Sequence, residues 1–437
     1  MLKFLNGNNK NFISLLNSTL EKRRFRSTNK ILLVRKIIED VKKNKDKALI
    51  RYEKKFSKSK KLNIKNIKYS ESEIKKIISK LDRTTRKSID LAFERITNFH
   101  KKQKFNKYKT VDKYKNSLSY ISKPIEKVGV YVPGGTASYP SSVLMNCIPA
   151  SIAGVKEIYM TTPSPNGKYN SAVIYAAKKC KVKKIYKTGG AQAIAALAYG
   201  TNSISKVNKI VGPGNEYVAI AKKEVFGDVG IDMFAGPSEV TIVADKSCNP
   251  EWVAADLIAQ AEHDNSAQSI LISNDKSIIT SVNYFIKKQI KNLEKKKIAM
   301  NSFRAYGLSI YIKNKNNLVN VINSIAPEHL EICVKKPEKI LKKIINAGSI
   351  FIGNYSPEAM GDYIAGTNHV LPTSGSAKFS SGLSVYDFLK RQSVIKISKS
   401  GIERLGASVI NLAKYENLEG HANSVKLRLK KKDNKIG

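Results

Sequence analysis

Between residues 128 and 225 one unit recurs three times: a short apolar run, a glycine turn, then a stretch with helical spacing. Val128-Gly129-Val130-Tyr131-Val132 runs into Pro133-Gly134-Gly135 and a helix over 141–153. Lys184-Ile185-Tyr186-Lys187 leads into Gly189-Gly190 and a helix over 191–199, and Lys209-Ile210-Val211 into Gly212-Pro213-Gly214 and a helix over 215–225. Strand, glycine turn and helix in succession are the βα units of a parallel sheet, which sets the glycine loops along one edge. A ligand with phosphates could sit there, on backbone N–H groups at helix N-termini. No loop reads GxGxxG, so the usual dinucleotide fingerprint is absent. A single glycine turn can simply make a tight connection; three in a row favour a ligand-binding edge.

The pattern continues beyond this region. Gly236-Pro237-Ser238 is a turn, either a plain connector or a place for the Ser238 hydroxyl to act, and strands follow at 240–244, 269–273 and 308–312, with a long helix over 278–297. This is a second α/β layer. Before residue 128 the texture differs. Phe12, Ile13, Leu15, Leu16 and Leu20 give a short helical arm one apolar face. Charged helices at 31–54 and 71–104, the latter two in tandem, show no legible chemistry.

Composition narrows the function. The 437 residues allow two or three domains, and 42% hydrophobic content makes them globular. Lys+Arg 78 against Asp+Glu 35 gives +43, which raises the question of nucleic acid. The lysines, however, are spread among Asn and Ile along the whole chain and are not interleaved with aromatic residues as a stacking platform requires. We expect no nucleic-acid partner. Cys147, Cys180, Cys248 and Cys333 are isolated, which fits a reducing compartment. With no signal-like apolar run and no apolar stretch of about 18 residues, a cytoplasmic protein without a membrane partner is expected.

The polar residues then point to chemistry. Asn249 and Pro250 start a helix on which Gln260 and His263, three apart, share a face. They are either half of a metal site or a solvated Gln beside a hydrogen-bonded His. Glu328-His329 follows Pro327: an acid and an imidazole suited to proton transfer, or a helix first turn with Glu328 complementing the dipole. Asp362 and His369 fall in glycine-rich, loop-like sequence, and His421 lies near the end of the chain. Of five histidines only His100 sits in plain helix. Gln260, His263, Asp362 and His421 would offer one neutral oxygen, two imidazoles and a carboxylate without thiolates, a set for which zinc is the natural metal and manganese or cobalt are alternatives.

Seven runs taken together add a resemblance. Val128 to Gly135, Gly189 to Leu197, Val211 to Asn215, Ala235 to Val240, Ala326 to Glu331, Gly366 to Pro372 and Gly382 to Phe388 occur in order, and the chain closely resembles histidinol dehydrogenases from about residue 30 to 425. The resemblance implies oxidation of L-histidinol to the aldehyde and then to L-histidine, with two NAD as hydride acceptors. It implies zinc on Gln260, His263, Asp362 and His421, and proton chemistry at Glu328 and His329. Tyr131, Gln192 and Asn215, one from each glycine loop, would contact NAD; Ser238, His369 and Glu416 would join His329 and the metal ligands around the substrate. The implied fold is α/β, two Rossmann-like domains with parallel sheets plus helical N- and C-terminal arms, aldehyde dehydrogenase-like. Its division would be an arm at 1–26, an NAD-binding domain at 128–238, a metal and acid/base domain from 27–127 and 239–381, and an arm at 382–437 that carries His421 into the active site of a homodimer partner.

Overall fold

The three repeated units fold as their spacing predicts. In a computed structural model that describes residues 2–21, 28–103, 105, 107–134, 139–233 and 236–430, strands Lys127–Tyr131, Lys184–Tyr186 and Lys209–Val211 lie in one parallel sheet. Glu157–Thr161 and Gly230–Ile231 complete it. Gly135 of the first loop and Phe234 and Ala235 before the Gly236-Pro237-Ser238 turn lie outside the described residues. The strands run in the order 184–186, 157–161, 127–131, 209–211, 230–231, so the chain reverses direction of travel between 127–131 and 209–211. A reversal of this kind opens a crevice at the carboxyl ends of the two strands.

The charged helices before residue 128 pack against this sheet. Val34, Ile37, Ile38, Val41 and Leu49 of the Thr28–Phe56 helix meet Ile194 and Leu197 of the alanine-rich Gly190–Tyr199 helix. On the other face, Ile74, Ile77, Ile89 and Ile96 join Val128, Val130 and Leu144. The grouping of 27–127 with 239–381 is therefore not how residues 28–100 pack. Fully burying a Val, Ile or Leu side chain contributes about 1.5–3 kcal/mol. The apolar stripe, rather than the charged face that dominates the sequence, decides where such a helix docks.

The second sheet has six parallel strands, in the order Lys3–Asn6, Leu308–Tyr311, Gln268–Ser273, Glu239–Ala244, His329–Cys333, Ser349–Ile352. The 1–26 segment is thus not wholly helical: Lys3–Asn6 pairs along Leu308–Tyr311 and buries Leu5. The Phe12–Glu21 helix follows, burying Phe12 and Leu16, with Leu20 packed alongside, whereas Ile13 and Leu15 point to solvent. The helix expected over 278–297 is two, Lys276–Gln289 and Lys296–Tyr306, because Leu293 turns extended between them.

Residues 104–124 and 389–437 form a separate unit. It holds an antiparallel sheet of Leu389–Lys396, Ser117–Pro124 and Tyr108–Val111, and two helices, Lys399–Tyr415 and Glu419–Leu429. The C-terminal segment expected as a helical arm from 382 accordingly begins with a strand, and residues 382–388 stay with the first unit. No helix of the described residues is long and apolar enough to cross a membrane.

Candidate active site

A cavity of about 980 Å³ in the first unit has the carboxyl ends of one sheet on one side and the amino ends of the other facing them. The glycine loops after 127–131, 184–186 and 209–211 line one part. The other part is lined at the start of the second sheet's strands: Ser238 precedes Glu239–Ala244, and Glu328 precedes His329–Cys333. Ala326, at φ 51, caps the Lys315–Ile325 helix, and His329–Cys333 then pairs in parallel with Glu239–Ala244 and Ser349–Ile352, so Glu328-His329 enters a strand rather than a helix first turn.

Glu328 and His329 are 5% and 4% exposed and form the centre of a buried box of acids. His329 Nδ1 lies 3.8 Å from Glu328 Oε2 and 3.6 Å from Glu358 Oε1, and Nε2 lies 3.7 Å from Asp362 Oδ1. Nδ1 also stands 3.2 Å from the Glu239 carbonyl oxygen. A carbonyl only accepts, so Nδ1 carries a proton there. Among the described residues the buried Nε2 makes no hydrogen bond and is the atom that gains or loses the ring's second proton. Glu328 Oε2 accepts the Glu239 N–H at 2.9 Å. Burial pushes the Glu328 carboxyl up to about 8 and that of Glu358 to about 7. For His329, burial opposes the charge, but Glu358, Glu328 and Asp362 overcome it and hold the imidazole well above its usual pKa. Burial also works against ionised Asp362, yet the surrounding imidazoles keep it below the ordinary carboxylate range.

His263 follows the C-terminal end of the Pro250–Ala261 helix, where the dipole favours a cation. His263, Glu358 and Asp362 can each present one ligand atom, all within 4.8 Å of one another. Gln260, fully buried one turn earlier, sets its side-chain amide against Glu358; because a carboxylate only accepts, the amide nitrogen is assigned to that side, where it donates to Oε1 at 2.9 Å and Oε2 at 3.2 Å. Among the described residues the box carboxylates make ion pairs only with histidines and none with Lys or Arg. Oxygen and imidazole donors with an excess of negative charge suit a borderline divalent ion such as zinc. Glu331 supports the cluster from behind, its Oε1 accepting the Glu358 N–H at 2.7 Å. His369 Nδ1 donates to the Asp362 carbonyl at 2.9 Å, and its loop is held by Arg95 Nε on the Ile364 carbonyl at 2.6 Å. Glu416 and His421 lie on the second unit, both exposed.

Tyr131, Gln192 and Asn215 all line the cavity. Asn215 N-caps the Glu216–Val225 helix through Val218 N at 3.2 Å. The glycines are required by contact between loops: a Cβ on Gly212 (φ +114) would stand 2.1 Å from the Tyr131 carbonyl oxygen, and one on Gly189 2.6 Å from Pro163 Cβ. Gly189 N–H donates to Glu53 at 2.8 Å and Gly190 N–H to the Tyr131 hydroxyl at 3.1 Å. The N–H groups of Gly189 and Gly190 are thus engaged within the protein.

Sequence reading missed Glu358. It stands four residues before Asp362 on the Glu358–Tyr363 helix, a spacing that puts both carboxylates on one face and could have flagged it. Glu53 and Glu331 carried no such signal, since each meets its partners only through the fold.

Comparison with known proteins agrees with this geometry. The family model described as histidinol dehydrogenase matches residues 20–429. The chain is 56% identical over 433 residues to the histidinol dehydrogenase of Pelagibacter ubique (strain HTCC1062), covering 99% of this chain and 100% of that one. It is 49% identical over 396 residues to that of Brucella suis biovar 1 (strain 1330), covering 91% and 92%. A crystal structure of histidinol dehydrogenase from Elizabethkingia anophelis is similar at a TM-score of 0.92 and 38% identity, with 98% of each chain covered. The chain belongs to the histidinol dehydrogenase family.

Proposed function

We propose that this chain oxidises L-histidinol to L-histidine by way of L-histidinaldehyde, two NAD molecules each accepting a hydride, as the last two steps of histidine biosynthesis. Family membership supports the oxidoreductase class and histidinol as substrate. The observation that carries the finer reading is the buried Glu328–His329 pair, which shares one cavity with the three glycine loops.

In the first step His329 in its neutral form takes the hydroxyl proton on Nε2 while the carbon gives its hydride to the nicotinamide, leaving the aldehyde, NADH and a proton on His329. In the second, water adds to the aldehyde; Glu328, as carboxylate, takes the water's proton and the carbonyl oxygen takes the proton His329 gained in the first step, giving neutral His329 and a gem-diol. This loses hydride to a second NAD and a hydroxyl proton to His329, leaving the acid. Zinc, held by Gln260, His263, Asp362 and His421, would supply a template for the substrate's imidazole and amine and balance the carboxylate charge. Glu358 stands close enough to join that set. Tyr131, Gln192 and Asn215 contact NAD, and Ser238, His369 and Glu416 complete the substrate site. The exposure of Glu416 and His421 on the second unit supports their supply across a homodimer. Retaining the aldehyde in the cavity protects it from side reactions. The absence of a spanning helix among the described residues is consistent with a cytoplasmic enzyme.

The test is NADH production from limiting L-histidinol before and after chelation. Two NADH per histidinol, lost on chelation and restored by zinc, is the expected outcome. No NADH from the zinc-loaded protein overturns the reading.

A further inference from the structure

Glu53, near the end of the Thr28–Phe56 helix, is 0% exposed and takes no part in the chemistry above. Its Oε1 accepts three hydrogen bonds: from Thr188 Oγ1 at 2.7 Å, Gly189 N at 2.8 Å and Gln192 Nε2 at 2.7 Å. Its Oε2 accepts a fourth, from Ser57 Oγ at 2.8 Å. A carboxylate has about four acceptor positions, so this one is filled by donors. Burial pushes its pKa up while these donors act to lower it. A buried carboxylate costs several kcal/mol to desolvate, a cost that a helix anchor alone does not explain when the same helix already buries a continuous apolar stripe.

Three of the four donors belong to the turn that ends strand Lys184–Tyr186 and starts the Gly190–Tyr199 helix. The bond to Gln192 has a further consequence. With Nε2 committed to Glu53, the amide of Gln192 has one orientation, and its Oε1 lies over the turn, 2.8 Å from where a Cβ on Gly190 would stand. Gln192 lines the cavity. It therefore presents an acceptor there, which takes a donor of the cofactor, a hydroxyl or an amide NH2, and not a phosphate. The Tyr131 hydroxyl takes the adjacent Gly190 N–H, so the turn is held from two sides, with the Gly189 and Gly190 N–H groups both engaged.

We propose that Glu53 is a positioning residue of the dinucleotide pocket: it fixes the Gly189-Gly190 turn and locks Gln192 so that Oε1 faces the cofactor. This rests on the NAD reading of the cavity. The experiment measures the Kd for NADH by fluorescence in the full-length protein for the wild type, Glu53→Ala, Glu53→Gln, Gln192→Ala and the Glu53→Ala/Gln192→Ala double variant, alongside thermal melting. Glu53→Ala is expected to weaken NADH binding about tenfold, with the KM for NAD rising and the KM for histidinol unmoved. Because Glu53 acts in part through Gln192, the loss of NADH affinity in the double variant falls short of the sum of the two single losses. Glu53→Gln keeps the acceptor oxygen and recovers part of the affinity. A folded Glu53→Ala protein with wild-type Kd, or fully additive losses in the double variant, overturns the proposal. If Glu53→Ala does not fold, Glu53→Gln decides: a Kd raised threefold or more supports it and an unchanged Kd overturns it. Failure of the wild type to bind NADH overturns the cofactor reading itself, and this inference with it.

Discussion

Replacing Glu328 by Gln separates the chemistry of this residue from its effect on stability. Glu328 is 5% exposed, and burial raises its pKa from 4.5 to about 8. The folded protein thus holds this proton more tightly than the unfolded chain. Its contribution to stability is complete below the unfolded pKa and is lost as the pH rises from 4.5 to about 8. At about 1.4 kcal/mol per pH unit the loss approaches about 5 kcal/mol in the metal-free protein. His329 and Glu358 titrate in the same box and share it, so about 3–5 kcal/mol is assigned to Glu328. Gln cannot ionise, and its amide oxygen still accepts the Glu239 N–H that Glu328 accepts at 2.9 Å. Urea unfolding in the presence of a chelator, at about pH 5 and about pH 9, should therefore show the wild type losing roughly 3–5 kcal/mol more than Glu328→Gln between the two. In turnover, with no carboxylate to activate water, the variant should release one NADH per histidinol and accumulate the aldehyde. Identical pH dependence of stability in the two proteins would refute the burial argument. Two NADH per histidinol from the variant at wild-type rate would refute the role in water activation.

Other substitutions test other parts of the site. His329→Asn, which removes the basic Nε2, should lower kcat about a hundredfold to ten-thousandfold while bound zinc, measured by atomic absorption, stays at the wild-type level. Gly212→Ala places a Cβ 2.1 Å from the Tyr131 carbonyl oxygen at φ +114. It should cost roughly 2–4 kcal/mol in urea unfolding and weaken NADH binding, because the first and third glycine loops must part to admit it.

Much of this molecule was legible from local pattern alone. The three strand, glycine and helix units predict a parallel sheet because neither a strand period nor a helix period depends on distant partners. The Gln260/His263 spacing, the Glu328-His329 pair and the Phe12, Leu16, Leu20 stripe were visible for the same reason. What the sequence left undetermined was which surfaces meet. The helices at 28–100 cover the five-stranded sheet because their buried stripes, a minority of their residues, fit the alanine-rich helix and the strand faces there. Residues 3–6 become an edge strand only because Leu308–Tyr311 offers unpaired backbone groups. The pairing of Glu358 with Gln260, and of Glu53 with Gln192, brings together residues 98 and 139 positions apart. Their buried carboxylates acquire shifted pKa values only when folding removes water and aims donors at them. Local periodicity fixes elements and candidate chemistry; burial and long-range hydrogen bonding, which exist only in the assembled chain, decide which of those candidates face one cavity.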